Sequence, residues 1–275
     1  MKLEMNRAWN DAVRLLRVSR EVTLVIAGAF FFLPYFAFML LTPDPLAGLR
    51  EDATPDGKLV AARLWDFYGH VWWIVLIVLI VQAVGMIGLI ALLTDRRRPT
   101  VGEALRLGGL RMPSYIAAYL LVGFALAVLM MVISILAGTT GSAAIGALGV
   151  LIVIFAFALL FVRLSLVAPV LAKEGVANPL TGLRRSWALT SRNGWRLFVF
   201  FFLLIVAYIV VGLVASMLFG AVFSLLGQEI RQFGDALVTS LLNAAWVTLF
   251  LAILSAVHDQ LASAPRGAAG ESYRQ

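Results

Sequence analysis

The run Val71-Trp-Trp-Ile-Val-Leu-Ile-Val-Leu-Ile-Val-Gln-Ala-Val-Gly-Met-Ile-Gly-Leu-Ile-Ala-Leu-Leu93 is apolar throughout except for Gln82. A helix rises ~1.5 Å per residue and the hydrocarbon of a bilayer is ~30 Å thick, so about 20 such residues cross it. In water this helix would have no polar face to turn outward. The run is continuous rather than alternating, which excludes a barrel strand. It reads as a transmembrane helix.

Working outward, five more runs have the same character: Val22–Leu41, Ser114–Leu136, Ile145–Ala172, Leu197–Leu226 and Ala236–Val257. The first is too long for a cleaved signal, and no small-x-small site precedes the polar stretch after it. Over all 275 residues the composition is 62% hydrophobic and 13% charged, with mean hydropathy +0.96. Soluble domains carry about 25% charged residues, so most of this surface must face lipid. The expected fold class is all-α: an integral membrane bundle of six transmembrane helices in a single membrane domain, 1–275. Residues 262–275 read as a disordered cytoplasmic tail. No length remains for a soluble catalytic domain. Cysteine is absent, which removes disulfides, thiolate nucleophiles and cysteine metal sites.

Orientation follows the lysines and arginines. Of 22 cations, seventeen fall on one side: Lys2, Arg7, Arg14, Arg17, Arg20, Arg96, Arg97, Arg98, Arg106, Arg111, Lys173, Arg184, Arg185, Arg192, Arg196, Arg266 and Arg274. Arg50, Lys58, Arg63 and Arg231 fall on the other, and Arg163 is unassigned. The expected location is a bacterial inner membrane, with both termini cytoplasmic and Pro43–His70 as the largest outer loop. The basic pI records topology, and nucleic acid is not an expected partner, because the charge is split among short loops.

Three times a basic segment with helical apolar spacing leads into a span: Trp9–Arg20, Thr100–Arg111 and Leu180–Arg192. Pro99 and Pro179 suit a first helical turn, and Asn178 suits an N-cap. Each segment reads as an interfacial amphipathic helix whose arginine stems reach for phosphates. The expectation is three units, about 1–94, 95–172 and 173–261, each an interfacial helix plus a transmembrane hairpin.

The run Arg163-Leu-Ser-Leu-Val-Ala-Pro-Val-Leu-Ala-Lys-Glu-Gly-Val-Ala-Asn-Pro-Leu-Thr-Gly-Leu-Arg-Arg-Ser-Trp-Ala-Leu-Thr-Ser-Arg-Asn-Gly-Trp-Arg196 resembles the signature of a bacterial multi-spanning family. That family is the glycerophosphodiester phosphodiesterase membrane domain, and YciC-like inner-membrane proteins are similar. The resemblance implies a membrane-embedded domain. It does not imply hydrolysis, because nothing here corresponds to the phosphodiesterase barrel of the fused members.

In lipid, helices associate through close backbone approach at small residues. Ser240, Ala244, Thr248 and Ala252 recur every four residues on the sixth span, and Gly212, Ser216 and Gly220 on the fifth. These two faces are expected to pack together. Pro34 should kink the first span. Gly85 and Gly88 mark close packing on the second, with Gln82 as an interhelical hydrogen bond.

Reactive groups do not converge. His70 and His258 sit at opposite ends of the spans, no aspartate or glutamate falls inside one, and Ser186, Thr190 and Ser191 have no histidine partner. The outer carboxylates Asp44, Glu51, Asp52, Asp56 and Asp66 read as a solvated acidic loop rather than a calcium site. No enzyme activity, cofactor or metal is therefore expected. The functional expectation is lipid association in envelope or lipid homeostasis, with anionic membrane lipids as partners, protein partners unknown, and a small-solute transporter or channel as the alternative. The headgroup site would comprise Arg163, Arg184, Arg185, Arg192 and Arg196, with Asn193-Gly194 ending the third basic helix and Trp187 and Trp195 at headgroup level. Arg163 reads as an interface anchor if the fourth span starts near Gly141; if it starts near Ala147, Arg163 lies well inside and needs a partner. The apolar run Ser165–Ala172 allows the chain beyond it to stay buried in protein.

Overall fold

The computed structural model describes residues 2–42, 57–94 and 100–263. Every regular element among the described residues is helical, and six helices are long and apolar enough to cross a membrane. They cover Arg20–Leu41, Gly57–Leu93, Val101–Thr140, Ala144–Lys173, Gly194–Ser224 and Glu229–Ala262, and each overlaps one apolar run of the sequence. The protein is an all-α integral membrane bundle. Asp44, Glu51, Asp52, Asp56, Arg50, Arg96, Arg97, Arg98, Pro99, Arg266, Arg274 and most of the expected tail lie outside the described residues.

Helix α1 (Met5–Val18) precedes the first span, which consists of α2 (Arg20–Ile26), a π-helical segment (Ala27–Phe32) and α3 (Leu33–Leu41). Pro34 stands in the first turn of α3 and lacks an N–H. A wider π turn before it accommodates the lost ladder bond, so the expected irregularity takes this form. The second span is α4 (Gly57–Thr94). Its helix begins 13 residues before His70, within what the sequence suggested was loop. Within it Lys58-Leu-Val-Ala-Ala-Arg-Leu64 is rich in good helix formers, and Asp66 and His70 meet one turn apart, with His70 Nδ1 2.8 Å from the Asp66 carbonyl.

Helix α5 (Val101–Thr140) forms the third span. Thr100 and Glu103 cap it reciprocally: Thr100 Oγ1 accepts from the Glu103 amide at 3.3 Å, and the Glu103 carboxylate accepts from the Thr100 amide at 2.8 Å. The second basic segment is therefore the start of α5 rather than a separate interfacial helix. The physical reason lies in Ala104 and Gly108, which are buried against α4. A Cβ on Gly108 would overlap the Val84 carbonyl, and one on Gly88 would lie 3.3 Å from the Ala104 carbonyl. A Cβ on Gly85 would overlap Phe30 of the π segment, so Gly85 and Gly88 are close-packing sites as expected. Gln82 is half-buried and makes no hydrogen bond among the described residues.

Gly141, at φ 60°, turns α5 into α6 (Ala143–Leu164). After a break at 165–166 the fourth span continues as α7 (Val167–Lys173), whose residues Val167–Ala172 are all buried. Then follow α8 (Pro179–Thr190), α9 (Gly194–Ser224) and α10 (Gln228–Ala262). Asn178 caps α8, its Oδ1 accepting from the Leu180 amide at 2.9 Å. Helix α1 turns Ala8 and Ala12 onto α10 and leaves Trp9 exposed. Its outer face carries the Asp11–Arg14 pair at 2.6 Å.

Burial is lopsided along the bundle. Ile87, Ile90, Leu166, Leu171, Leu197, Phe201, Leu251 and Val257 form a dense core at the end where α4 and α10 finish and α5 and α9 start. At the opposite end Trp65, Trp72, Phe155, Met217 and Leu225 are exposed. Residues of that kind are the surface a bilayer covers, with tryptophan and tyrosine suited to its interface. The dense end is also the basic end.

Candidate functional site

The basic end is built around the termination of α6. A helix that stops leaves its last carbonyls without partners. Here α8 supplies them from a buried stripe of Gly182, Ser186 and Thr190, four residues apart. Ser186 Oγ donates to the Arg163 carbonyl at 2.8 Å and Thr190 Oγ1 at 3.2 Å. Gly182 lets α8 close on Leu171, which would stand 3.2 Å from any Cβ there. These hydroxyls hold the corner together.

The Arg163 side chain lies on the same corner. Its guanidinium carbon is 5.3 Å from the Trp187 ring centre, a cation–π distance. One terminal nitrogen is buried and has no hydrogen-bond partner. The guanidinium also sits 3.5 Å from where a Cβ of Gly194 would be, at the first residue of α9. Gly194 starts that helix, and its φ is not positive. A helix N-terminus carries a positive partial charge, so two positive groups meet here with no carboxylate between them among the described residues. Trp187 and Trp195 are exposed on the same end.

A second cluster joins the end of α7, α8 and the end of α10. The Arg185 Nε donates to both Glu174 oxygens, at 2.8 and 3.1 Å. His258 Nε2 lies 3.1 Å from Glu174 Oε1, and Lys173 Nζ donates to Asp259 Oδ1 at 2.8 Å and to the Ser255 carbonyl at 2.9 Å. Partial burial pushes the Glu174 carboxyl up. The hydrogen bonds from Arg185 and His258, with their charges, outweigh this and hold it below its ordinary value.

The N-terminal segment before α1 fastens across both. The Leu3 amide donates to Asn193 Oδ1 at 3.0 Å, Arg196 donates to the Leu3 carbonyl at 3.1 Å, and the Glu4 amide donates to Gln260 Oε1 at 3.3 Å. Leu3 itself is buried.

The five arginines expected to share one headgroup pocket thus have different occupations. Arg185 is held by Glu174, Arg196 by the Leu3 carbonyl and Arg163 by Trp187, while Arg184 and Arg192 are exposed. All five stand at the basic end, and three of them have partners within the protein. On the packing side, Ser240, Ala244, Thr248 and Ala252 are buried. Their expected partners on α9 are not: Ser216 is exposed, and a Cβ on Gly212 or Gly220 would meet nothing within 4 Å. Large rings make that contact instead, with Tyr208 stacked on Trp246 at 4.6 Å and Phe201 edge-on to Phe250 at 5.4 Å. Phe36 of α3 meets Phe233 at 5.5 Å, two turns from Ser240 on the same side of α10, so that side faces the first span.

Glu174, His258, Asp259, Asn193 and Gln260 were missed as a group by the sequence reading. The signal was present: Lys173-Glu174 and His258-Asp259 close two apolar runs that end on the same side. No family model, characterised protein or solved structure matches the chain.

Proposed function

We propose that this chain is a non-enzymatic multi-pass protein of a bacterial inner membrane, with both termini cytoplasmic, whose basic end associates with anionic lipid headgroups. The observation that carries this reading is the Arg163 corner. A guanidinium with a buried, unpartnered nitrogen meets the positive end of α9, and both groups favour an anion. Trp187 supplies an amphipathic ring at the same level, and exposed Arg184 and Arg192 add cations, each worth ~1 kcal/mol near an anionic surface. A phosphate-bearing headgroup fits that chemistry. Arg185 is not counted among the ligands, since Glu174 occupies it.

The alternative is that these arginines only enforce topology, in which case any anionic lipid serves equally. Native mass spectrometry of the detergent-purified protein separates the two. Arg163→Gln combined with Arg192→Gln is expected to insert normally and to lose most of its copurifying anionic lipid. Unchanged lipid occupancy in wild type and double variant would leave the headgroup site without support.

A further inference from the structure

Helix α1 starts without a cap. Glu4 stands at its N-cap in an extended conformation, but its carboxylate bonds to none of the helix amides, and no acidic residue follows in the first turn. The Ala8 amide is the first to find a carbonyl, that of Glu4, at 3.0 Å. The amides of Met5, Asn6 and Arg7 have no partner among the described residues. Such a start presents free donors and a positive partial charge.

Two further features single it out. It opens into a cleft of about 510 Å³ lined by Leu3, Glu4, Met5, Asn6, Arg7 and Arg196, the size of a small-ligand pocket. Arg196 spends one N–H on the Leu3 carbonyl, and Arg7 reaches Asp11 only at 3.9 Å, Asp11 being held by Arg14 at 2.6 Å. Both guanidiniums therefore keep donors for a ligand. The second feature is Gln260, which is 6% exposed and brings its carboxamide to the same helix start. Its Oε1 accepts from the Glu4 amide at 3.3 Å, while its Nε2 is buried without a partner. A buried amide nitrogen with nothing to donate to calls for an acceptor. Backbone amides, guanidiniums and Nε2 are all donors, so the group they suit is an anion, and a phosphate matches a helix start and arginine alike.

Glu4 narrows the ligand further. Its carboxylate is exposed in the cleft wall and makes no ion pair among the described residues, so it would repel a bare phosphate. A ligand with a cation beside its phosphate turns that repulsion into a contact. A quaternary cation favours aromatic rings, and none lines this cleft, whereas a primary ammonium pairs with a carboxylate through hydrogen bonds. We propose that the cleft at the start of α1 binds a phosphoethanolamine group, with the phosphate on the α1 amides, Arg7 and Arg196, and the ammonium on Glu4. The group arrives as the headgroup of a membrane lipid or as free phosphoethanolamine, which share this chemistry. The site is separate from the Arg163 corner: it is built on the start of α1 rather than of α9, and it takes a zwitterion.

Calorimetric titration of the full-length protein in micelles of an uncharged detergent tests it. The probes are inorganic phosphate, free phosphoethanolamine and short-chain phosphatidylethanolamine. Arg163→Gln with Arg192→Gln is the background, so that the other corner contributes no binding. Phosphoethanolamine, free or lipid-borne, should bind roughly fivefold more tightly than inorganic phosphate, the upper end for one exposed ion pair. Whichever of the two binds identifies the source. Glu4→Gln should abolish the preference by weakening phosphoethanolamine alone, and Arg7→Gln should weaken every probe. Both side chains are exposed, so neither substitution threatens the fold. Arg17→Gln removes a cation from α1 outside the cleft and should leave all affinities unchanged. Inorganic phosphate bound as tightly as phosphoethanolamine, a preference that survives Glu4→Gln, or a loss in Arg17→Gln equal to that in Arg7→Gln overturns the proposal. So does the absence of binding by every probe, and none of these outcomes bears on the Arg163 corner.

Discussion

A Cβ added to Gly108 would overlap the Val84 carbonyl, whereas one added to Gly212 would meet nothing within 4 Å. The two glycines look alike in sequence, each on a helix with small residues one turn away. Overpacking a close helix contact typically costs about 1–3 kcal/mol, while substitution at a site without neighbours stays within about 0.5. Gly108→Leu should therefore lower the melting temperature of the purified protein clearly, and Gly212→Leu should leave it nearly unchanged. Equal melting temperatures would contradict the packing of α4 on α5 described above. Four-residue spacing tells which helices can come close but not which partner arrives. For α4 the glycines were legible because they are embedded in a run of large residues. For α9 the stripe misled, because the rings of Tyr208 and Trp246 decide its contact with α10.

Helix α8 meets the end of α6 through two hydroxyls, and each can be removed without changing the shape of the helix. Ser186→Ala with Thr190→Ala strips the Arg163 carbonyl of both side-chain donors in a buried place. An unsatisfied buried polar group costs about 1–3 kcal/mol. Ser191→Ala is the control, since Ser191 is exposed and bonds only to the Ala188 carbonyl of its own segment. The double variant should melt well below Ser191→Ala in thermal unfolding. Parity between them would mean that α8 is held by something else. At this scale the six spans were legible because twenty apolar residues in a row leave the chain few alternatives. The amphipathic segments were harder. Charge and spacing mark a helix with two faces, but they do not say whether the apolar face meets lipid or protein. Ala8 and Ala12 on α1, and Ala104 and Gly108 on α5, bring one side of each helix onto protein, because small side chains let two helix axes come close.

For the whole molecule, the asymmetry of charge and the asymmetry of packing coincide. Arg7, Arg14, Arg17, Arg106, Arg111, Lys173, Arg184, Arg185, Arg192 and Arg196 all stand at the end where the core is dense, while Lys58, Arg63 and Arg231 stand at the end where apolar side chains are exposed. Cytoplasmic loops retain lysine and arginine during insertion, so the dense end is expected inside. The cysteine-free sequence makes this testable with single introduced thiols. Arg184→Cys and Arg231→Cys are suited to it, because both sites are exposed and lie at opposite ends of the pair α9 and α10. In intact cells whose outer membrane has been opened, an impermeant maleimide should label position 231 and leave position 184 untouched. Position 184 should then react once the inner membrane is permeabilised. Each variant removes one cation from opposite sides of a large imbalance, so neither should invert the protein. Labelling of position 184 before permeabilisation, with position 231 protected, would place the Arg163 corner and the Glu174–His258 cluster on the outer surface. The cytoplasmic assignment would then fall, while the helix packing, which does not depend on orientation, would stand.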